Sequence, residues 1–465
     1  MAQCHPLVKP PERTPMNFRI ATVLLVTFYL GAFIDSYKCY ANKPNIVVIM
    51  ADDLGYGDLQ CYGHPRVKTP NIDQLARDGA RFTQHYANGP ECSPTRTAFL
   101  TGKYQQIAGG LECAIGTGNV GRYDDAIRLA NQHDLGLPAE QTVLPNLVTQ
   151  QGYRSAVFGK WHLGYETKFN PKTHGWNEFF GYLGGNVHYF NHRETSDLHV
   201  LFSDDLPVYR DGYMTDLITE ASVKFIEKTK EPYLLFISHE SPHFPFQGPS
   251  DSKKLVTHEN WMELDQDAYV AMIESLDSSV GEIVSAIEQA GQRENTVIVF
   301  VSDNGGFANA ADMGPLRGAK SMTFEGGIRV PLIISWPGKI ASGHTSDQVC
   351  ITFDLTKSIL NLAGAETQSQ QLDGHDIITH VIEQKPNFSR TLFWRGKRGE
   401  RVWKAVRHGD QKLVIKTGEP QQIKSVFDLS IDPAEQKDLT ATNPNLTLEL
   451  VNLLQNWESS LKPKR

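Results

Sequence analysis

Asn45-Ile46-Val47-Val48-Ile49-Met50-Ala51-Asp52-Asp53 is an unbroken apolar run that ends abruptly in two carboxylates. A run of this length, free of polar alternation, suits a strand buried on both faces. Similar runs recur at Ser155 to Phe158, Tyr233 to Ser238, Thr296 to Val301 and Pro331 to Ser335. Helical spacing separates them. Asn71 to Asp78 stops before Gly79, which reads as a C-cap, and Ala268 to Ala290 stops before Gly291. Strands alternating with helices predict an α/β fold, a large, mostly parallel sheet between helical layers. Past residue 365 the texture changes. Short strand-like segments at Arg390 to Trp394, Trp403 to Arg407, Gln411 to Ile415 and Val426 to Leu429 precede an amphipathic helix near Asn445 to Leu461. They predict a smaller C-terminal α+β domain.

Four of the strands run straight into polar clusters: Asp52-Asp53, Lys160-Trp161-His162, His239 with His243, and Asp303-Asn304. Open α/β sheets bind ligands beyond the carboxyl ends of their strands, so one site assembled from distant sequence is expected there. Asp52, Asp53, Asp303 and Asn304 are hard oxygen donors, which favour Ca²⁺ or Mg²⁺ over zinc. Each pair is also a common turn former at a strand end. Lys160 and His162, two residues apart, face one side on leaving a strand, although a lone Lys-x-His is usually a solvated surface. Prolines on both sides stiffen the loop that presents His243, and Lys320 precedes Glu325-Gly326-Gly327.

Cys92-Ser93-Pro94-Thr95-Arg96 adds a thiol just ahead of a helix-like segment. A helix N-terminus lowers a thiol's pKa, and an arginine on the same face can clamp a tetrahedral oxyanion. The Cys-x3-Arg spacing excludes the Cys-x5-Arg phosphatase loop.

The chain has 465 residues and a formal net charge of −8, which argues against a general nucleic-acid binder but not against an anionic substrate. Ile20 to Ile34 carries no charge, follows Lys9, Arg13 and Arg19, and precedes Cys39-Tyr40-Ala41. It is short for a membrane span and reads as a Sec-type signal peptide over residues 1–41, with an uncleaved anchor as the alternative. Cleavage implies a secreted or periplasmic protein with no stable membrane insertion. Cys61, Cys92, Cys113 and Cys350 then remain. If Cys92 is modified, the odd remainder excludes a fully paired set and leaves room for one bridge, such as Cys61 with Cys113.

Taken together, the motifs resemble the sulfatase family. The likeness covers the Asp52-Asp53-Leu-Gly-Tyr-Gly core, Thr69-Pro-Asn-Ile-Asp-Gln-Leu-Ala, the Cys92 signature and Gly159-Lys-Trp-His-Leu-Gly164. It continues through Ser302-Asp-Asn-Gly-Gly, Phe324-Glu-Gly-Gly-Ile-Arg-Val-Pro and the closing Asp428 to Leu439. The resemblance implies an alkaline-phosphatase-like fold, with residues 42–365 catalytic and 366–465 a C-terminal subdomain. It implies sulfate-ester hydrolysis through a Cα-formylglycine made from Cys92 by a separate formylglycine-generating enzyme. Asp52, Asp53, Asp303, Asn304 and modified Cys92 would hold Ca²⁺. Arg96, Lys160, His162, His243 and Lys320 would surround the sulfate. His243 is the expected general acid, with Lys160 or Lys320 assisting, Asp303 the first proton acceptor and His162 the second. Glu91, Lys103 and Thr356 depart from the usual family pattern, and Glu91 could affect recognition by the modifying enzyme.

The substrate is expected to be a sulfated carbohydrate, such as a carrageenan-type galactan or a glycosaminoglycan. Gly184 to Arg193 is rich in sugar-compatible groups, and His188, His192 and Arg193 are its candidate contacts, although an ordinary polar loop reads the same way. Competing readings are a phosphodiesterase or phosphonate hydrolase of the same superfamily and a non-catalytic sulfated-glycan binder.

Overall fold

The computed structural model describes residues 1, 43–108, 112–115, 129–419 and 421–461. The expected signal peptide lies outside the described residues. Among the described residues, no helix is long and apolar enough to cross a membrane.

The described residues form sixteen strands: β1 (Asn45–Ala51), β2 (Ala80–Phe82), β3 (His85–Tyr86), β4 (Arg154–Lys160), β5 (Glu178–Tyr182), β6 (Leu201–Ser203), β7 (Leu206–Pro207), β8 (Tyr233–Ser238), β9 (Thr296–Ser302), β10 (Leu332–Ser335), β11 (His344–Ser346), β12 (Cys350–Ile351), β13 (Thr391–Arg398), β14 (Arg401–His408), β15 (Gln411–Thr417) and β16 (Ile423–Asp428). Ten form one mixed sheet in the order β11-β2-β10-β9-β1-β8-β4-β5-β6-β7. Its centre, β9-β1-β8-β4-β5, is parallel. β10 and β6 turn antiparallel on either side.

The apolar runs follow from this burial. Ile46, Val48 and Met50 enter one core layer, while Val47, Ile49 and Ala51 enter the other. Successive side chains of a strand point to opposite faces, so a strand covered twice admits no polar alternation. Helices Pro70–Arg77, Met214–Lys228 and Gln266–Gln289 cover one face. Helices Cys92–Thr101, Leu144–Gln150 and Thr352–Ala363 cover the other.

Gly79 does not act as the expected C-cap. Asp78 caps that helix, and Gly79 is needed for a close approach, since a Cβ there would sit 2.2 Å from the Ile334 carbonyl oxygen. Cys61 carries a free thiol, so no Cys61–Cys113 bridge forms.

β13-β14-β15-β16 form a separate antiparallel sheet, backed by helix Pro444–Ser460. Trp394, Leu413, Leu450 and Leu454 share a core with Tyr86, Phe324 and Phe353. The C-terminal sheet is thereby packed against segments that flank the sheet edge where the polar clusters gather.

Candidate active site

β1, β9, β8 and β4 are neighbours, so the residues after their carboxyl ends meet. Ala51 pairs with Ser302, which places Asp52-Asp53 beside Asp303-Asn304. Gly159 pairs with Ser238, which places Lys160 and His162 near the loop that carries His243. Helix Cys92–Thr101 points its first turn at the same edge. Asp53 and His162 adopt left-handed φ values of 62° and 59°. Non-glycine residues hold such conformations at a cost of about 1 kcal/mol or more, which the surrounding packing offsets.

The buried groups interlock. Arg96 donates to Asp303 Oδ2 from Nε (3.1 Å) and Nη2 (2.8 Å). Its Nη1 donates to Ser238 Oγ and to the Lys160 carbonyl. Lys160 Nζ donates to Asp52 Oδ2. Lys320 Nζ lies 2.7 Å from Asp53 Oδ2 and 3.7 Å from Cys92 Sγ. Cys92 Sγ donates to Asp52 Oδ1 at 3.4 Å, and His243 Nε2 is 3.5 Å from Asp53 Oδ2. Three cations therefore oppose three carboxylates.

Burial dominates the electrostatics. It raises Asp52 to about 7 against the pull of Lys160, and it raises Asp53. Asp303 is lowered, because Arg96 and the two lysines outweigh the burial that would raise it. Cys92 is pushed well above the usual thiol range by burial and then by Asp52. This reverses the expectation from its helix N-terminus: desolvation and neighbouring carboxylates override the helix dipole. Burial and nearby lysines hold His162 and His243 well below the ordinary imidazole value.

Asp52, Asp53, Cys92 and His243 offer ligand atoms within 4.8 Å of one another, an arrangement that could hold a metal ion. His243, assigned from sequence to proton transfer, thus joins the candidate ligands. Asn304 donates from Nδ2 to Asp53 Oδ1 at 2.7 Å, while its own Oδ1 is buried without a hydrogen-bond partner. A buried carbonyl oxygen beside carboxylates fits a hard cation.

Above these groups opens a cavity of about 480 Å³ with Cys92, His162, His243 and Lys320 in its lining. Lys160 lies beneath and does not line it. Sequence reading missed most of the walls. Trp261 donates from Nε1 to Asn186 Oδ1 at 3.0 Å, and Tyr165 donates to Glu194 Oε1 at 2.8 Å. Phe307 and Arg398 also line the cavity. No motif surrounds Trp261 or Arg398; only the fold brings them there.

His188, His192 and Arg193 are not brought to the cavity. His188 Nδ1 accepts from the backbone N–H groups of Phe190 and Asn191. His192 Nε2 meets the Gly212 carbonyl, and Arg193 Nη1 donates to the Asp197 carbonyl. The loop spends these groups on its own shape, and its ends, Asn186 and Glu194, reach the cavity instead. Gly185 lies against the His162 ring, where a Cβ would come 2.8 Å from Nε2.

Comparison with known proteins agrees with this geometry. A Sulfatase family profile matches residues 44–365, and one for the C-terminal part of N-sulphoglucosamine sulphohydrolase matches residues 319–459. N-acetylgalactosamine-6-sulfatase of Mus musculus is 30% identical over 377 residues, 76% of this chain and 69% of its own. Arylsulfatase A of Homo sapiens is 31% identical over 447 residues, 88% of this chain and 82% of its own. The crystal structure of Ps i-CgsB in complex with k-i-k-neocarrahexaose superposes with a TM-score of 0.79 at 27% identity, covering 90% of this chain and 94% of that one. With the thiol, the carboxylates and the cations gathered at one edge of an alkaline-phosphatase-like sheet, the chain belongs to the sulfatase family and is a sulfuric ester hydrolase.

Proposed function

We propose that the protein is a secreted or periplasmic enzyme that hydrolyses sulfate esters on a sulfated carbohydrate, a polysaccharide or its oligosaccharides. The observation that carries this reading is the placement of Cys92 at the floor of a cavity it shares with His162, His243 and Lys320. A pocket of roughly 300–1,000 Å³ suits a small ligand, and aromatic Trp261 beside Asn186 suits a sugar ring. The relatives support the same class: one is named N-acetylgalactosamine-6-sulfatase, and another is seen in complex with k-i-k-neocarrahexaose. In this reading residues 1–41 are a signal peptide, 42–365 a catalytic domain and 366–465 a C-terminal subdomain.

Cys92 is proposed to be converted to Cα-formylglycine by a formylglycine-generating enzyme. Hydrated, that group supplies one hydroxyl to attack sulfur and a second whose deprotonation lets sulfate leave. Asp52, Asp53, Asp303 and Asn304 would hold Ca²⁺ together with residue 92. When bound, the ion supplies polarisation of a sulfate oxygen.

The chain's own residues do the rest. Arg96 fixes Asp303 through two hydrogen bonds, which orients that carboxylate as a proton acceptor. Lys160 neutralises Asp52 from below. His243 donates from Nδ1 to the Phe244 carbonyl at 2.7 Å, which keeps Nε2 on the reacting side. His243 Nε2 is the proposed proton donor to the leaving oxygen, with Lys320 adding positive charge beside it; burial and the lysines favour the neutral ring, so His243 must take up that proton with the anionic substrate in place. His162 Nδ1, buried without a hydrogen-bond partner, remains available for the second deprotonation.

The test compares an aryl sulfate with the matching aryl phosphate. Sulfate turnover should dominate. Preference for phosphate would favour the phosphodiesterase or phosphonate hydrolase reading, and no turnover of either would favour a glycan binder. Chelation is expected to lower sulfate turnover about 100-fold or more, since a polarising cation supplies several kcal/mol. Added Ca²⁺, rather than Mg²⁺ or Zn²⁺, should restore it.

A further inference from the structure

We propose that Arg398 binds a second acidic group of the substrate, a sulfate or a carboxylate on the same or the adjoining sugar, and so sets which sulfated carbohydrates are turned over. The inference rests on the carbohydrate sulfatase reading and adds to it a requirement on the substrate's charge.

Arg398 is the last residue of β13 and lines the cavity together with Cys92 and Lys320. It pairs with Arg401 across a two-residue turn, Gly399-Glu400, in which Gly399 has a φ of 61°. The hairpin therefore presents the guanidinium from a fixed backbone. Its Nη2 donates to Glu91 Oε2 at 2.6 Å. Glu91 immediately precedes Cys92, so this contact anchors Arg398 next to the nucleophile's position.

The Glu91 carboxylate is otherwise occupied. It accepts from the Ala114 N–H at 2.8 Å and from Ser321 Oγ at 2.9 Å. The departure from the family pattern at this position thus ties the helix start, the 112–115 segment, the Lys320 loop and the C-terminal hairpin together. Arg398 keeps unspent capacity. Its Nε is buried with no hydrogen-bond partner, while the side chain as a whole is 28% exposed. A guanidinium carries five donors in a planar fork that matches sulfate and carboxylate.

The other cationic heads near the floor are ion-paired as well, but to carboxylates of the floor itself: Arg96 to Asp303, Lys160 to Asp52 and Lys320 to Asp53. A substrate with two acidic groups is therefore steered into an orientation that places the scissile sulfate on the floor and the second anion at Arg398.

The experiment compares three probes: a singly sulfated galactobiose, the same disaccharide with a second sulfate on the adjoining ring, and the same sulfated galactose linked to a uronic acid. Wild-type enzyme should favour at least one doubly acidic probe over the first by about tenfold or more in kcat/KM, the expected worth of a charged hydrogen-bonded contact. Arg398→Gln should collapse that ratio toward one, and Arg398→Lys should keep part of it. Preference for the disulfated probe alone assigns the second group as sulfate, and preference for the uronate probe alone assigns it as carboxylate. A wild-type ratio near one, or a ratio that survives Arg398→Gln, overturns the inference. Failure of wild-type enzyme to hydrolyse any probe or aryl sulfate instead overturns the underlying sulfatase assignment to carbohydrates, which separates the two failures.

Discussion

Cys92→Ala should lower kcat/KM for sulfate-ester hydrolysis by ~10⁴-fold or more, the scale seen when a covalent nucleophile is removed. The side chain is small, and its hydrogen bonds, donated to Asp52 and accepted from Lys320, are weak sulfur contacts, so the fold should survive. The unmodified thiol is expected to be almost as poor. Burial and Asp52 push it well above the usual thiol range, so the thiolate is scarce at neutral pH. Activity should therefore track the fraction of Cys92 converted to formylglycine, read by mass spectrometry of the peptide that spans it. Cys92→Ser sharpens the test. It offers one hydroxyl and no second one for the exit step, so it should stall after a single turnover with a sulfo group retained on the peptide. Full activity in Cys92→Ala, or in protein whose Cys92 is wholly unconverted, would rule out the proposed nucleophile.

The sheet was legible because burial on two faces leaves a strong mark: the runs at β1, β4, β8 and β9 contain almost nothing polar. The site was legible because polar pairs stand directly after those runs, and the parallel sheet then gathers them. What escaped reading depends on long-range packing. Trp261 and Arg398 carry no local signal, and they reach the cavity through a loop after β8 and a hairpin of the second sheet. Polar content misdirected the reading of residues 184–193, because donors and aromatics look the same whether they bind a ligand or hold a turn together. Cys92 shows the limit of a local electrostatic rule. Its helix start argues for a low pKa, and only the folded surroundings reveal the carboxylates that raise it.

Glu325 illustrates the same limit and supports the second large expectation. Its motif follows Lys320 in sequence, yet its carboxylate points to the C-terminal sheet. Lys412 Nζ lies 2.7 Å from Glu325 Oε1 and 2.9 Å from Glu435 Oε1, and all three side chains are fully buried. The Glu325 N–H donates to Glu435 Oε2 at 2.6 Å, so the cluster holds the segment after Lys320 against β15. Burial would raise Glu325, but Lys412 first and then Arg329 and Arg407 hold it at about 2. Burial lifts Glu435 to about 7 despite Lys412. Lys412→Met keeps the volume and removes the shared cation. Breaking a buried pair from one side costs about 3–5 kcal/mol, and that loss is expected near pH 8. The pH dependence follows from proton linkage. Without Lys412 both carboxylates should sit higher in the folded state than in the unfolded chain, where the ordinary value is 4.5. Between those values the folded variant binds more protons, so its stability falls as pH rises. In wild type, the stability contributed by Glu325 is complete above 4.5 and is lost as pH falls toward about 2. Glu435, at about 7, gives wild type part of the same gain between pH 8 and pH 5, but the variant gains more because Glu325 also sits high in it, so the gap shrinks in acid; the wild-type Glu325 trend adds to this only below 4.5. Chemical denaturation at pH 8 and pH 5 should show the larger difference at pH 8. An equal difference at both would assign the role of Lys412 to packing rather than charge.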